Sequence, residues 1–178
     1  MNHHQQCYRR DRLVLETVAQ WGTMDTEMLR ILFYPSARVA QRRLGILTEK
    51  GKIKRTRDTI GQSYFYYLKH CDYFRFTINW ARIWISKKLC RSWEVFESFD
   101  YETNTATLRN VAQDSIRTIK VIYNATRKTW LSNDVLVVYD TIEQKYEASK
   151  RIKGNFLLSI EDIQEGLKCS EQLKQIHS

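Results

Sequence analysis

Between Glu49 and Tyr64 the chain changes its period, and that change narrows the folds open to it. Ser36 to Arg57 read SARVAQRRLGILTEKGKIKRTR. On a helical wheel of about 100° per residue, Ala37, Ala40, Leu44 and Leu47 fall within one arc, with Val39 and Ile46 on its flank. The opposite face holds Arg38, Gln41, Arg42, Gly45 and Glu49. Gly51 is placed as the left-handed residue that stops this helix. After it, KIKRTR and SYFYYLK favour strands and flank a DTIGQ turn in which Gly61 suits a hairpin loop.

Two helical patterns precede this segment. YRRDRLVLETVAQWG spaces Leu13, Val14, Val18 and Trp21 for a helix that stops at Gly22. TMDTEMLRILFYPS gives a short helix with Thr23 or Asp25 as N-cap, Met28, Leu29 and Leu32 as its apolar face, and Pro35 closing it. The order helix, helix, helix, hairpin predicts a winged helix-turn-helix over residues 8–69. In that fold the third helix enters the major groove and the hairpin lies along the backbone.

Residues 70–178 read as a second, α+β domain for dimerisation or partner contact, so the chain as a whole is α+β. CDYFRFTINWARIWISKKL is long enough for a helix, and SWEVFESFDYE reads as a strand. SIRTIKVIYNA fits a strand or a short helix, NDVLVVYD is a buried strand, and KYEASK is expected to pair back on it as a hairpin. SIEDIQEGLKCSEQLKQI opens with Ser159 and Asp162 at near-capping-box spacing. Ile160, Ile163, Leu167, Leu173 and Ile176 form its apolar stripe, a possible dimer interface.

Charge is unevenly placed. Of a net +9, Ser36 to Arg57 supply +7, with eight basic residues against Glu49. A local excess of this kind marks a polyanion site. Arg38 and Arg42, one turn apart, suit bidentate contact with guanine or phosphate, and Gln41 beside them suits adenine. Gly45 on the same face costs about 1 kcal/mol of helix propensity against alanine, which a helix pressed close to a groove or a partner explains. Arg43 lies toward the core edge and is read as folding outward to a phosphate. Lys50, Lys52, Lys54, Arg55 and Arg57 complete the candidate DNA-binding set. The strand residues among them, with charge on both faces, are expected to lie on the phosphate backbone and to bury little. Tyr64, Tyr66 and Tyr67 are read as packing the hairpin onto the helices.

The run ARVAQRRLGILTEKGKIKR resembles the winged-helix signature of many bacterial regulators. Together with Arg12 and its leucine-rich first helix, TEMLRILFYPS and AQRRLGIL, it resembles the replication-relaxation family of plasmid and mobile-element proteins. The resemblance covers residues 9–68, with Asp134 and Glu147 in NDVLVVYD…KYEASKR extending it into the second domain. It implies an N-terminal winged helix before an α+β domain. It also implies binding of double-stranded DNA in plasmid or phage replication, maintenance or transcription control, as a homodimer or with another replication or regulatory protein.

Two other readings use the same residues. The basic face also suits an acidic protein partner or a host DNA-binding factor. Asp134 with Glu147 and Lys150, or with Glu143 and Lys145, parallels the acidic residues and lysine with which restriction-type nucleases hold Mg²⁺ and orient a water. The spacing departs from that pattern, so the second domain reads as a degenerate, non-catalytic form of that fold and the protein as no enzyme. No P-loop, GxGxxG or GxSxG is present. Cys7, Cys71, Cys90 and Cys169 form no CxxC pair and read as reduced packing residues, and His70 with Cys71 has no further ligands at useful spacing, so no metal or other cofactor is expected. No apolar run reaches the roughly 18 residues of a membrane span, which predicts a cytoplasmic protein.

Overall fold

The computed structural model describes residues 3–125, 134–152 and 156–176. The chain divides into two compact units, Met1–Phe76 and Thr77–Ser178. Among the described residues there are six α-helices and two sheets, so the class is α+β. No helix in them is long and apolar enough to cross a membrane.

In the first unit, α1 (His3–Trp21) leads through a two-residue strand β1 (Met24–Asp25) into α2 (Thr26–Phe33). Asp25 is the N-cap of α2, its Oδ1 accepting from the Met28 N–H at 2.7 Å. Thr23, the other candidate, instead accepts from the Asp72 N–H through its hydroxyl at 2.7 Å. Ser36 caps α3 (Ala37–Glu49), and Ala40, Leu44 and Leu47 are buried as the wheel predicts, while Ala37 in the first turn stays exposed. With Val14, Val18, Met24, Met28, Leu29 and Tyr34 they form the core of the unit.

The end of α3 is fixed by its backbone. The Lys52 N–H reaches back to the Leu47 carbonyl and the Gly51 N–H to that of Thr48, both at 2.9 Å. Gly51 holds φ at 64°, a conformation that costs a residue with a side chain. This Schellman turn sends the chain into β2 (Lys54–Thr56), which pairs antiparallel with β3 (Phe65–Tyr67). Strand β3 also pairs with β1, giving the order β1-β3-β2. The sequence pattern had not marked β1, because two residues carry no period.

The second unit takes most of α4 (Tyr73–Trp84), which continues into a π-helical turn, Ile85–Leu89. Five consecutive residues, Thr77 to Ala81, are buried, so the aromatic run is a central helix. Its sheet follows chain order: β4 (Glu94–Asp100), β5 (Thr105–Asn110), β6 (Ser115–Tyr123), β7 (Val135–Tyr139) and β8 (Leu157–Ser159). Strands β4, β5 and β6 form an antiparallel meander, and β6, β7 and β8 run parallel. The segment SIRTIKVIYNA is therefore strand.

The expected KYEASK hairpin strand is instead helix α5 (Ile142–Ser149). Parallel strands cannot be joined by a tight hairpin, and α5 makes the β7-to-β8 crossing. Thr141 caps it through the Gln144 N–H at 3.3 Å. Helix α6 (Ile160–Ile176) starts at a reciprocal cap: the Asp162 carboxylate accepts from the Ser159 N–H, and the Ser159 hydroxyl accepts from the Asp162 N–H. Ile163 and Leu167 are buried and Ile160 half-buried, whereas the side chains of Leu173 and Ile176 lie outside the described residues, as does that of Cys169. A Cβ on Gly166 would come within 2.6 Å of the Trp84 ring, so this glycine lets α6 lie close to α4. At the rim of the sheet, Arg117 clasps the buried Glu94 with bonds of 2.9 and 2.7 Å and donates a further one to the Leu89 carbonyl.

Candidate nucleic-acid interface

The residues singled out in α3 separate cleanly. Arg38, Gln41 and Arg42 are exposed on its outer face, as are Lys50, Lys52 and Lys54 beyond it. Among the described residues none of the six side chains has a hydrogen-bond or ion-pair partner. Elsewhere in the unit two arginines are paired with acids on their own helices: Arg12 with Glu16 at 2.7 Å and Arg30 with Glu27 at 2.8 Å. Pairing would have cancelled the charge of the α3 face, and its absence leaves that charge available to a ligand.

Arg43 departs from the expectation. It is turned inward and held by both carboxylate oxygens of Asp11 on α1, with Nε to Oδ1 at 3.3 Å. The hydrogen bond with Asp11 raises its affinity for the proton still further. Its side chain is only 22% exposed, so it ties α3 to α1 and does not reach a phosphate. The neighbouring Arg42, one step round the helix, is on the free side.

In the hairpin, the guanidinium groups of Arg55 and Arg57, two residues apart, both lie over the Tyr64 ring, at 4.5 and 5.0 Å from its centre. Cation–π contact of this kind holds long arginines in place. Asp58, next in sequence to Arg57, is drawn instead to the Tyr73 hydroxyl at 2.5 Å, an interaction that pushes that phenol up to about 12. The basic strand buries little, as expected, with Lys54 and Arg55 exposed and Thr56 half-buried, whereas Ile53 just before it and Tyr66 on the returning strand are 3% and 1% exposed. Burial pushes the Tyr66 phenol up, while hydrogen bonds with Thr26 and Arg55 act the other way. Tyr66 thus packs as predicted, and Phe65 meets Phe76 edge-on at 4.9 Å.

Between α3 and the hairpin lies an open cleft of about 400 Å³, lined by Gln41, Arg55, Arg57, Tyr64, Thr26 and Gln62 among others. It gathers three of the candidate residues on one concave surface. Thr26 and Gln62 were not singled out from the sequence, since single polar residues at a helix start and in a turn carry no pattern. Ile60 at the hairpin tip is 86% exposed.

The acidic residues of the second unit are arranged otherwise than a hairpin nuclease requires. Asp134 precedes β7, Glu147 lies on α5 and Lys150 is its C-cap. Lys150 pairs with Glu147 one turn away at 2.6 Å, and Lys145 with Asp162 at 2.7 Å. Glu143 sits in the first turn of the same helix. Among the described residues no three His, Cys, Asp or Glu side chains gather as a metal-holding group. Among the described residues Cys7, Cys71 and Cys90 form no disulfide.

Compared with protein families, with curated proteins and with solved structures, the chain matches none.

Proposed function

We propose that Met1–Phe76 is a winged helix that binds double-stranded DNA, with α3 in the major groove and the β2–β3 hairpin as the wing on the backbone. The observation that carries this reading is the set of six exposed and unpaired polar side chains on α3 and its exit, five of them cationic. Arg38, Gln41 and Arg42 read base edges. Lys50, Lys52, Lys54, Arg55 and Arg57 grip phosphates, the last two held by Tyr64. The likeness to replication-relaxation proteins supports a role in plasmid or phage replication, maintenance or transcription control.

A gel shift with selection from random duplexes tests the reading, and the same assay with Mg²⁺ present would reveal cutting. A protein that enriched no sequence and bound duplexes no better than an uncharged control protein would sink it. Lys54→Ala should weaken every duplex alike and lower the slope of log K against log salt by about one, because one phosphate contact releases about one counterion. Titration at several salt concentrations measures this.

Gly45 gives a prediction of mixed sign. No atom lies within 4 Å of a Cβ added there, so Gly45→Ala should stabilise the free protein by about 1 kcal/mol through helix propensity. On the same face as Arg38 and Arg42, the added methyl should also hold the helix off the groove and weaken duplex binding. Thermal melting and gel shift, run on the same variant, check the two halves separately.

A further inference from the structure

Ile85 to Trp93 read ISKKLCRSW, three basic residues and no acid. Lys87, Lys88 and Arg91 are exposed, and among the described residues none of their side chains has a hydrogen-bond or ion-pair partner. Glu94, the next acid along the chain, is clasped by Arg117. The loop that displays the three cations is fixed by its own backbone. The Cys90 N–H donates to the Ile85 carbonyl at 2.9 Å and closes the π-helical turn, a form that recurs at functional sites. The Arg91 N–H donates to Glu94 Oε2 at 3.0 Å, and the Glu94 N–H returns to the Arg91 carbonyl at 2.9 Å.

Trp93 stands out from this loop, 52% exposed, with the Arg91 guanidinium 5.9 Å from the centre of its ring. The two line a shallow cleft of about 360 Å³, whose other wall is Asn110 at the end of β5 with Ala112 and Gln113 in the turn that follows. The Asn110 side chain is spent on that turn. Its Oδ1 accepts from the Ala112 and Gln113 N–H groups at 3.0 and 3.2 Å, and its Nδ2 donates to Gln113 Oε1 at 3.3 Å. Gln113 Nε2 keeps its donors unspent among the described residues. One acid, the exposed Asp114, ends the turn, and the three cations outweigh it.

An exposed indole, a guanidinium against it and a free amide are groups that hold an unpaired nucleobase: two planar surfaces to stack on and a donor for its edge. We infer that this cleft takes a base of a single-stranded nucleic acid, with Lys87 and Lys88 on the neighbouring phosphates. In a duplex each base is stacked inside the helix and out of reach, so the indole selects the single strand. The two lysines lie outside the lining of the cleft. They gain only from a ligand longer than one nucleotide, which favours a strand over a free nucleotide. The inference stands apart from duplex binding by the first unit.

The experiment is fluorescence anisotropy of a labelled oligothymidylate of about 15 nucleotides titrated with the full chain at several salt concentrations. Trp93→Ala weakens binding at least about fivefold, while Trp93→Phe, which keeps a stacking ring, retains most of it. Lys87→Ala with Lys88→Ala lowers the slope of log K against log salt by about 1.4, since each phosphate contact on a single strand releases about 0.7 counterion. All three side chains are exposed, and circular dichroism verifies that each variant is folded. Both effects persist in a chain that also carries Arg42→Ala and Lys54→Ala, and annealing the strand to its complement abolishes the Trp93 effect. Affinity for the strand that the Trp93 and lysine variants leave unchanged overturns the inference, whatever duplexes do. So does strand binding lost with Arg42→Ala and Lys54→Ala, which assigns it to the first unit. Thymidine monophosphate competing as well as the strand, or a polyglutamate peptide doing so, overturns it in favour of a free nucleotide or an acidic protein.

Discussion

Glu94→Ala should lower the stability of the protein by about 3–5 kcal/mol, with a fall in Tm on the order of 10 °C. The carboxylate is 4% exposed and the Arg117 guanidinium that clasps it 22%. Removing the acid leaves a part-buried cation with the Leu89 carbonyl as its remaining hydrogen-bond partner among the described residues. The loss therefore measures an orphaned charge more than the worth of the pair. Replacing both residues, Glu94→Ala with Arg117→Met, should recover most of it, and a double-mutant cycle by thermal or urea melting separates the two contributions.

The same pair makes a pH prediction. The hydrogen bonds from Arg117, against the cost of burial, hold Glu94 below its ordinary 4.5. A carboxylate depressed in the folded state contributes stability that is present above its unfolded value and lost as pH falls through the folded one. Wild type should therefore lose stability against Glu94→Gln only below about pH 4.5, and the two melting curves should converge there.

The second large effect concerns the reading face. Arg42→Ala should cost about 1–3 kcal/mol on the preferred duplex and relax the preference at the base it contacts. Binding to unrelated duplexes should change far less. Since Arg42 is exposed and has no partner in the fold, its melting temperature should stay at the wild-type value. Competition gel shifts with specific and non-specific duplexes, beside a melt, check all three. Unchanged affinity for the selected duplex would remove Arg42 from the reading face. Arg43→Ala is the informative contrast, because its pairing with Asp11 makes it a tie between helices.

How far the sequence led can be judged residue by residue. The apolar arc of α3, the stop at Gly51, the hairpin and the Ser159–Asp162 cap were legible because each is local, decided by residues within a few positions. Arg43 was not, since its partner is 32 residues away and a wheel shows only that a residue lies near the boundary of a face. Helix α5 was missed because it has no buried residue and so no apolar stripe to give a helical period. In TATLRN the small buried Ala106 and the single Leu108 gave too short an alternation for β5 to stand out. The bulge between Phe96 and Ser98 interrupts the alternation of β4, which the spacing of Trp93, Val95 and Phe99 still showed as a strand. Tyr64 was visible as a tyrosine, but its contact with Arg55 and Arg57 depends on the pairing of two strands. The charge excess singled out the segment from Ser36 to Arg57, and only the folded chain showed that Arg43 within it is already paired.

The two sheets also differ in how they can be assembled during synthesis. In the second unit every strand neighbours the one made just before it, so the sheet can grow from β4 to β8 in the order in which the chain leaves the ribosome. No finished pair need open to admit a latecomer. In the first unit β3 is made last yet lies between β1 and β2, and it carries the buried Tyr66. The smaller sheet thus has no ladder at all until its central strand arrives, and then both sides of it close in one step.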